Sequence, residues 1–402
     1  MLFIPDRHEA LNGAPWSDAA ARDGISALVA DACSQFDPAT LWPTHPRDGE
    51  PGEPALPIAS MYHGAAGAIW SLQHLQRAGL AEMAIDFGPC IAGLLEPNRR
   101  FNDAARIARP SYPLGDSGVL MLQWSHRRSA AVADELFALV TSNLRNPTQE
   151  FLWGSPGTMV AALHMLEATS EARWHTLFRE AAAVLYEQMH LAPGTHDTWI
   201  WTQDLYGKQE PLLGAAHGFV GNVFPYVRGA KWLDDALVDA VEERALKTLG
   251  ATAVREDGAV NWEPMFDHVA TGRPSKLLMQ DCHGAPGVVC RLADCRSPAL
   301  RALVLEGAEA VWRAGPLNKG QNLCHGTAGN GYALLKAHAM TGDAVWLERA
   351  RAFAMHALAQ SDAQAALHGQ RWFTLWTGDF GVALLLAGCI TGDADYPTLD
   401  VF

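Results

Sequence analysis

The chain reads as an all-α protein, an α/α toroid in which a double ring of seven inner and seven outer helices closes on itself. Three observations predict this fold. A Gly-x-x-Gly element occurs seven times, beginning at Gly64, Gly115, Gly154, Gly218, Gly284, Gly326 and Gly378. Each element opens an apolar, Ala- and Leu-rich stretch, such as Thr158 to Ala168, Val288 to Ala293 and Val382 to Cys389. Between these lie segments such as Asp234 to Leu249 and Ala344 to Gln360, apolar at helical spacing and charged on the other face. The first set predicts buried inner helices and the second half-exposed outer ones. Seven alternations of the two close most simply into a ring.

In chain order, residues 1–57 form a lead-in packed on the ring, with one helix expected from Asp18 to Cys33 and a Pro-rich segment from Asp37 to Pro57. The ring itself is expected over residues 58–402. Small residues at each repeat start allow neighbouring helices to approach closely. The gaps before the fourth and fifth elements exceed one helix pair, so Pro193 to Pro211 and Asp257 to Lys276 are expected as long loops. Strand signals are weak, and no βαβ alternation is evident. A ring of this kind brings all seven Gly-x-x-Gly turns to one end, where residues far apart in sequence meet.

Of the 402 residues, 49% are apolar and 18% charged, which predicts a globular chain with a large core. The net charge of −14 argues against a nucleic-acid groove, which needs clustered Lys and Arg. No apolar run has the length of a membrane span, and the start from Met1 to His8 lacks a signal peptide's apolar segment. A cytoplasmic protein is therefore expected. Seven scattered cysteines do not suggest a disulfide framework. Cys290 and Cys295 sit five apart without a second pair to complete a metal knuckle, and with Cys33, Cys90 and Cys389 they read as small buried hydrophobes.

Two cysteines are different. Cys282 and Cys324 each stand directly before a His-Gly turn, in Gln280-Asp281-Cys282-His283-Gly284 and Asn322-Leu323-Cys324-His325-Gly326. Two thiols and an adjacent imidazole supply three ligands to Zn²⁺ and leave the fourth tetrahedral position for water or substrate. Soft ligands of this kind favour zinc over magnesium or calcium. Spacing alone leaves His283 and His325 both open as the imidazole.

These residues resemble the lanthionine synthetase C-like (LanC-like) family. The matching stretches are Gly214-Ala215-Ala216-His217-Gly218-Phe219-Val220-Gly221, Cys282-His283-Gly284-Ala285-Pro286-Gly287 and Cys324-His325-Gly326-Thr327-Ala328-Gly329-Asn330. The likeness runs from about Met61 onward, through Phe373 to Gly378 and Tyr396 to Leu399, and is nearer to stand-alone eukaryotic-type members than to lantibiotic cyclases. It implies an α/α toroid with one zinc ion at its mouth, held by Cys282, Cys324 and His325. It also implies addition of a thiol, either glutathione or a peptide Cys, to dehydroalanine or dehydrobutyrine in a peptide or protein, in some members after phosphate elimination.

The same resemblance assigns His217 as acid/base, suited to protonating the carbon left electron-rich by thiol attack. Glu150 falls where members carry a carboxylate that orients the His or takes a proton. Lys319 matches a Lys of the glutathione-using members, and Arg7 is a further basic candidate at the chain start; a cation there meets a developing enolate, a leaving phosphate or a substrate carboxylate. His63 occupies an equivalent turn and is read as structural. Asp281 departs from the family's usual Trp, placing an extra carboxylate beside the expected metal. The family's basic residue shortly before that Cys is also missing, with Lys276 or Arg273 as substitutes. Alternative readings are a non-catalytic zinc- and glutathione-binding protein, a prenyltransferase-like toroid, and a carbohydrate-active toroid that uses its 14 Trp to stack sugars.

Overall fold

A computed structural model describes residues 1–48, 57–205, 207–266 and 276–402. Helix α1 (Asp18–Gln35) is followed by α2 (Ala65–Arg77), a broken rod α3 (Gly88–Gly93) and α4 (Leu95–Ala105), then α5 (Asp116–Arg127), α6 (Ala130–Ser142), α7 (Ser155–Thr169) and α8 (Ala172–Gln188). Two small hairpins come next, β1 (His190–Leu191) with β2 (Trp199–Ile200) and β3 (Gln203–Leu205) with β4 (Lys208–Glu210). Helices α9 (Phe219–Arg228) and α10 (Asp235–Thr252) precede a third hairpin, β5 (Ala253–Glu256) with β6 (Ala259–Trp262). The remainder is α11 (Ala285–Leu292), α12 (Pro298–Ala314), α13 (Thr327–Thr341), α14 (Ala344–His368) and α15 (Phe380–Thr391).

The seven helices that follow the Gly-x-x-Gly turns, α2, α5, α7, α9, α11, α13 and α15, pack each on the next, and α15 packs back on α2. They form the closed inner ring. Helix α7 is buried without interruption from Ser155 to Leu166. Outer helix α10 buries only Val238, Val241, Glu242, Ala245, Thr248 and Leu249, one stripe of a 3.6-residue period. Helix α1 lies on α15, with Gly24 against Leu358 of α14.

The repeat glycines have a steric cause. The first glycine caps each inner helix in six of the seven repeats, while the second lies over the carbonyl of the residue six positions earlier. A Cβ at Gly287 would stand 2.0 Å from the Asp281 carbonyl, and one at Gly329 2.0 Å from that of Leu323. No side chain fits there, so the turn folds tightly back over its own helix start.

Those turns are tied to one another. Tyr62 N–H donates to the Pro113 carbonyl, Ala216 to Cys282, Cys282 to Cys324, Cys324 to Trp376 and Trp376 back to Tyr62, all at 2.8–3.3 Å. Two links are made differently. Pro113 has no N–H, so the Ser111 hydroxyl donates to the Leu152 carbonyl instead. The Leu152 N–H is committed to Glu150, so Phe151 N–H donates to Ala216. Seven links thus close a hydrogen-bonded circuit around the ring's mouth.

Inside the ring, residues 396–402 touch helices on opposite sides. Phe402 meets Trp70 of α2, Thr398 accepts from Tyr112, the Asp400 carbonyl accepts from Arg228 of α9, and the Asp400 carboxylate pairs with Lys336 of α13 at 2.8 Å. Only a segment on the ring axis can do this, so it fills the lumen.

The two expected long loops carry hairpins instead. Residues Asp257 and Gly258 both have positive φ, 50° and 77°, as a two-residue turn between antiparallel strands requires. The apparent loop from Asp257 therefore begins in mid-hairpin, while residues 267–275 within it, and 49–56 of the Pro-rich segment, lie outside the described residues. Helix α14 also runs eight residues beyond Gln360. Among the described residues no helix is long and apolar enough to cross a membrane.

Replacing Gly329 with Ala should lower stability in chemical unfolding by about 3 kcal/mol, because backbone cannot yield to the new methyl. Gly250→Ala, in α10 with open space around it, should raise stability by up to about 1 kcal/mol. Equal effects at the two positions would refute the steric account.

Candidate metal centre and acid–base dyad

In each repeat the residue two before the first glycine sits at the circuit of turns, and the residue directly before that glycine is the next one out. The first set includes Cys282 and Cys324; the second includes Trp153, His217, His283 and His325. Cys282 and Cys324 occupy consecutive links, and Cys282 N–H donates to the Cys324 carbonyl at 3.0 Å. Both are nearly enclosed, at 8% and 6% exposure, and their thiols hydrogen-bond each other. His325 contacts the Cys324 sulfur.

The pair does not share its proton evenly. The hydrogen bond from Cys324 holds Cys282 below the usual thiol range against the opposing effect of burial, helped by the Gln280 amide at 2.9 Å from its sulfur and by Lys319. Cys324 is pushed well up by that same contact and by burial. The two sulfurs are thus inequivalent, with Cys282 the more acidic of the pair. Two touching thiols with an imidazole on the second match the soft donor set of zinc. Among the described residues no three His, Cys, Asp or Glu side chains form a ready-made metal cluster, so closing such a shell requires side-chain adjustment at the mouth.

One link further round the circuit stands the dyad. Glu150 is fully buried and accepts from the N–H groups of Leu152 and Trp153, which fixes its carboxylate at the start of α7. Its Oε2 lies 3.0 Å from His217 Nδ1. Trp153 stacks on the His217 ring at 5.4 Å. Burial pushes His217 down, but the Glu150 hydrogen bond and charge, with a contribution from Cys324, outweigh it and leave its pKa above the ordinary 6.5. With Nδ1 committed to Glu150, the proton available for transfer is on Nε2.

Lys319 is exposed at the same mouth, near both sulfurs and near Arg7 and Arg47. Partial desolvation and those two guanidinium groups lower its pKa despite the attraction of the sulfurs. Arg7 donates to Gln280 Oε1 at 3.3 Å, and Gln280 in turn donates to Cys282. Arg47 donates to the Lys319 carbonyl at 3.4 Å.

Asp281 faces the other way. Neighbouring residues of the turn alternate in direction, so while Cys282 reaches the mouth the Asp281 carboxylate enters the lumen and forms a doubled ion pair with Arg291 at 2.8 and 3.1 Å. His283 turns towards His217, with ring centroids 5.9 Å apart, and burial drives its pKa down to about 3. His63 is held to Ser60 Oγ at 3.1 Å, and its pKa falls to about 4 on burial. Lys276 is exposed, and Arg273 lies outside the described residues.

Trp153, Gln280 and Arg47 carry site contacts that sequence reasoning had not assigned. Trp153 was discoverable, since it holds the same place before its glycine as His217, His283 and His325. Arg47 had no such signal, because its place depends on how the segment from 42 to 48 folds across Trp372.

A closed double ring of helices with a thiol pair and a Glu-oriented histidine at one rim defines an α/α toroid with a cysteine- and histidine-bearing mouth. The model of the lanthionine synthetase C-like proteins matches residues 53–401, and the chain belongs to that family. "Glutathione S-transferase LANCL1" of Danio rerio is 30% identical over 205 residues, 48% of this chain and 47% of that protein. "LanC-like protein GCL1" of Arabidopsis thaliana is 40% identical over 90 residues, 21% of each. The chain thus spans about half or less of the curated relatives it matches. Among solved structures, nisin cyclase superposes with a TM-score of 0.62 at 14% identity, covering 90% of this chain and 93% of that one, which establishes the shared fold.

Glu150→Gln should lower the titration midpoint of His217, followed by NMR of the imidazole, since burial then acts with weaker opposition. Because folding raises the His217 pKa, the dyad's stabilisation is full below pH 6.5 and fades as pH rises through the folded value. The variant's stability should accordingly depend less on pH across that interval, and an unchanged midpoint refutes the coupling.

Proposed function

We propose that this chain joins a thiol to the β-carbon of a dehydroalanine or dehydrobutyrine residue in a peptide or protein, forming a thioether. The observation that carries the reading is the placement of the Cys282–Cys324 pair one link from the Glu150–His217 dyad. Such chemistry needs an ionised sulfur on one side of the alkene and a proton donor at the other carbon. Cys282, Cys324 and His325 would hold one Zn²⁺, which when bound supplies the acidification that a substrate thiol of pKa about 8.5 otherwise lacks near neutrality.

The chain's own residues do the rest. Glu150 fixes the tautomer of His217 and raises its proton affinity, so that Nε2 carries the proton to be transferred. His217 gives that proton to the α-carbon as the new carbon–sulfur bond forms at the β-carbon, and is reprotonated by the proton the thiol has lost. Atoms balance, with the thiol and alkene combining without a leaving group. Arg7, Arg47 and Lys319 form a cationic edge on a chain of net charge −14, which suits an anionic thiol such as glutathione. Where the substrate arrives as a phosphorylated Ser or Thr, the same cations suit the departing phosphate.

Purified protein should contain about one zinc per chain by elemental analysis, and Cys324→Ala should lose it. Wild type should convert a dehydroalanine peptide and glutathione to the thioether. His217→Phe should retain zinc while lowering kcat by about 10² to 10⁴, and Lys319→Ala should raise KM for glutathione more than it lowers kcat. Zinc binding without turnover would instead favour the non-catalytic binding protein.

A further inference from the structure

A cavity of about 430 Å³ opens beside the dyad, with His217 and His283 on its inner wall. Trp153, Leu212 and Met265 line it, and Leu205 with the rest of the β3–β4 hairpin forms its outer lip. Its walls are chiefly apolar and aromatic. Lys208 and Glu210, one residue of each charge, stand on the lip. Among the described residues, Arg7, Arg47 and Lys319 gather elsewhere, at the sixth turn.

His283 is an unusual member of this wall. Its Nδ1 is buried with no hydrogen-bond partner and packs against Gly214, where a Cβ would stand 2.4 Å from it. The absence of a side chain at Gly214 is what admits the ring. With Nδ1 closed in, Nε2 is the nitrogen free to meet a ligand from the cavity. His217, 5.9 Å away between ring centres, flanks the same space and has its own Nδ1 occupied by Glu150. Two imidazoles therefore converge on one apolar chamber, and one of them, His283, directly follows Cys282 in the chain.

We propose that this cavity is the acceptor subsite, holding the dehydroamino residue of an uncharged peptide segment while His283 Nε2–H donates to the carbonyl oxygen conjugated with its alkene. The inference rests on the thiol-addition reading above and adds to it the place and character of the electrophile. Conjugate attack forms the carbon–sulfur bond at the β-carbon and moves the alkene's π pair toward the carbonyl oxygen, making an enolate. A donor held at that oxygen stabilises the charge as it develops. The enolate pair then takes a proton at the α-carbon from His217, and the carbonyl is restored. One imidazole serves the oxygen and the other serves the carbon. The apolar chamber fits the alkene, and the cationic edge at the sixth turn is left to the anionic thiol.

The test uses the full chain, with glutathione and a dehydroalanine peptide flanked by neutral residues as probes. Leu205→Trp, a rim substitution, should raise KM for the peptide at least tenfold and leave KM for glutathione within twofold. His283→Phe should lower kcat by about a hundredfold with zinc content and glutathione KM unchanged, and His283→Gln, which keeps an N–H donor, should recover part of that loss. Peptide binding without thiol, followed by tryptophan fluorescence, provides a readout independent of turnover and should weaken at least tenfold in Leu205→Trp. Wild-type turnover with both variants unaffected, or with glutathione KM raised as much as peptide KM, overturns the subsite and leaves the thiol-addition reading standing. Peptide binding that Leu205→Trp blocks, in a wild type that never forms thioether, supports the subsite and refutes that reading. Neither binding nor turnover in wild type overturns both.

Discussion

The circuit of hydrogen bonds around the mouth is the constraint on which the site depends. Each link is an ordinary backbone bond with a net contribution of about 1 kcal/mol, and its main effect is geometric. Because every turn is fixed to both neighbours, residues that lie 42 to 67 positions apart in sequence, such as Glu150, His217, Cys282 and Cys324, stand on adjacent links. The links at Pro113 and Leu152 show that closure is what matters. Where the backbone donor is missing or already engaged, the Ser111 hydroxyl or the next amide takes its place. The bare second glycine of each repeat belongs to the same device, since a methyl there would lift the turn off its helix and open the circuit.

That device explains what was legible in the sequence and what was not. The inner and outer helices were readable because burial on all sides and burial along a stripe leave different periodicities, and the glycines mark each turn. Cys282, Cys324 and His217 were readable as candidates because a ring turns equivalent repeat positions into spatial neighbours. The hairpins were misread as loops although Asp257-Gly258 between two short apolar runs is a strong turn signal; the long gaps between glycines drew the reading toward loops. Arg47 and Gln280 depend on contacts made across 272 and 273 residues, Arg47 with Lys319 and Gln280 with Arg7, and no local pattern encodes those.

The electrostatics of the mouth divide along the ring. At the fifth and sixth turns, the hydrogen bond between the sulfurs lowers Cys282 and raises Cys324, and Lys319, with Arg7 and Arg47 beside it, favours the Cys282 thiolate. At the third and fourth turns, a carboxylate held by two amides keeps an imidazole protonated to higher pH than burial alone permits. Cys282 is shifted toward losing a proton while His217 is shifted toward holding one, and the two shifts stand on adjacent links. Burial lowers both neighbouring imidazoles, but Glu150 carries His217 above its ordinary value while His283 falls to about 3.

Asp281 shows how an added charge beside the sulfurs is kept to a lesser effect: its carboxylate raises Cys282, but less than the Cys324 and Gln280 hydrogen bonds lower it. A carboxylate facing the mouth would raise the thiol pKa further and repel an anionic substrate, both contrary to the chemistry proposed. The alternation of the turn sends it inward, where Arg291 pairs with both oxygens and itself lies over the Tyr396 ring at 4.6 Å. Burying such a pair costs desolvation that its attraction barely offsets, so the pair is a poor source of net stability. Its effect is one of position. Arg291 belongs to α11 and Tyr396 to the segment that fills the lumen, so the pair fastens the Cys282 turn to the ring's axis as well as to its two neighbours. The same ring that gathers Cys282, Cys324 and His217 at its mouth thus holds the Asp281 carboxylate on the opposite side of the backbone, paired with Arg291.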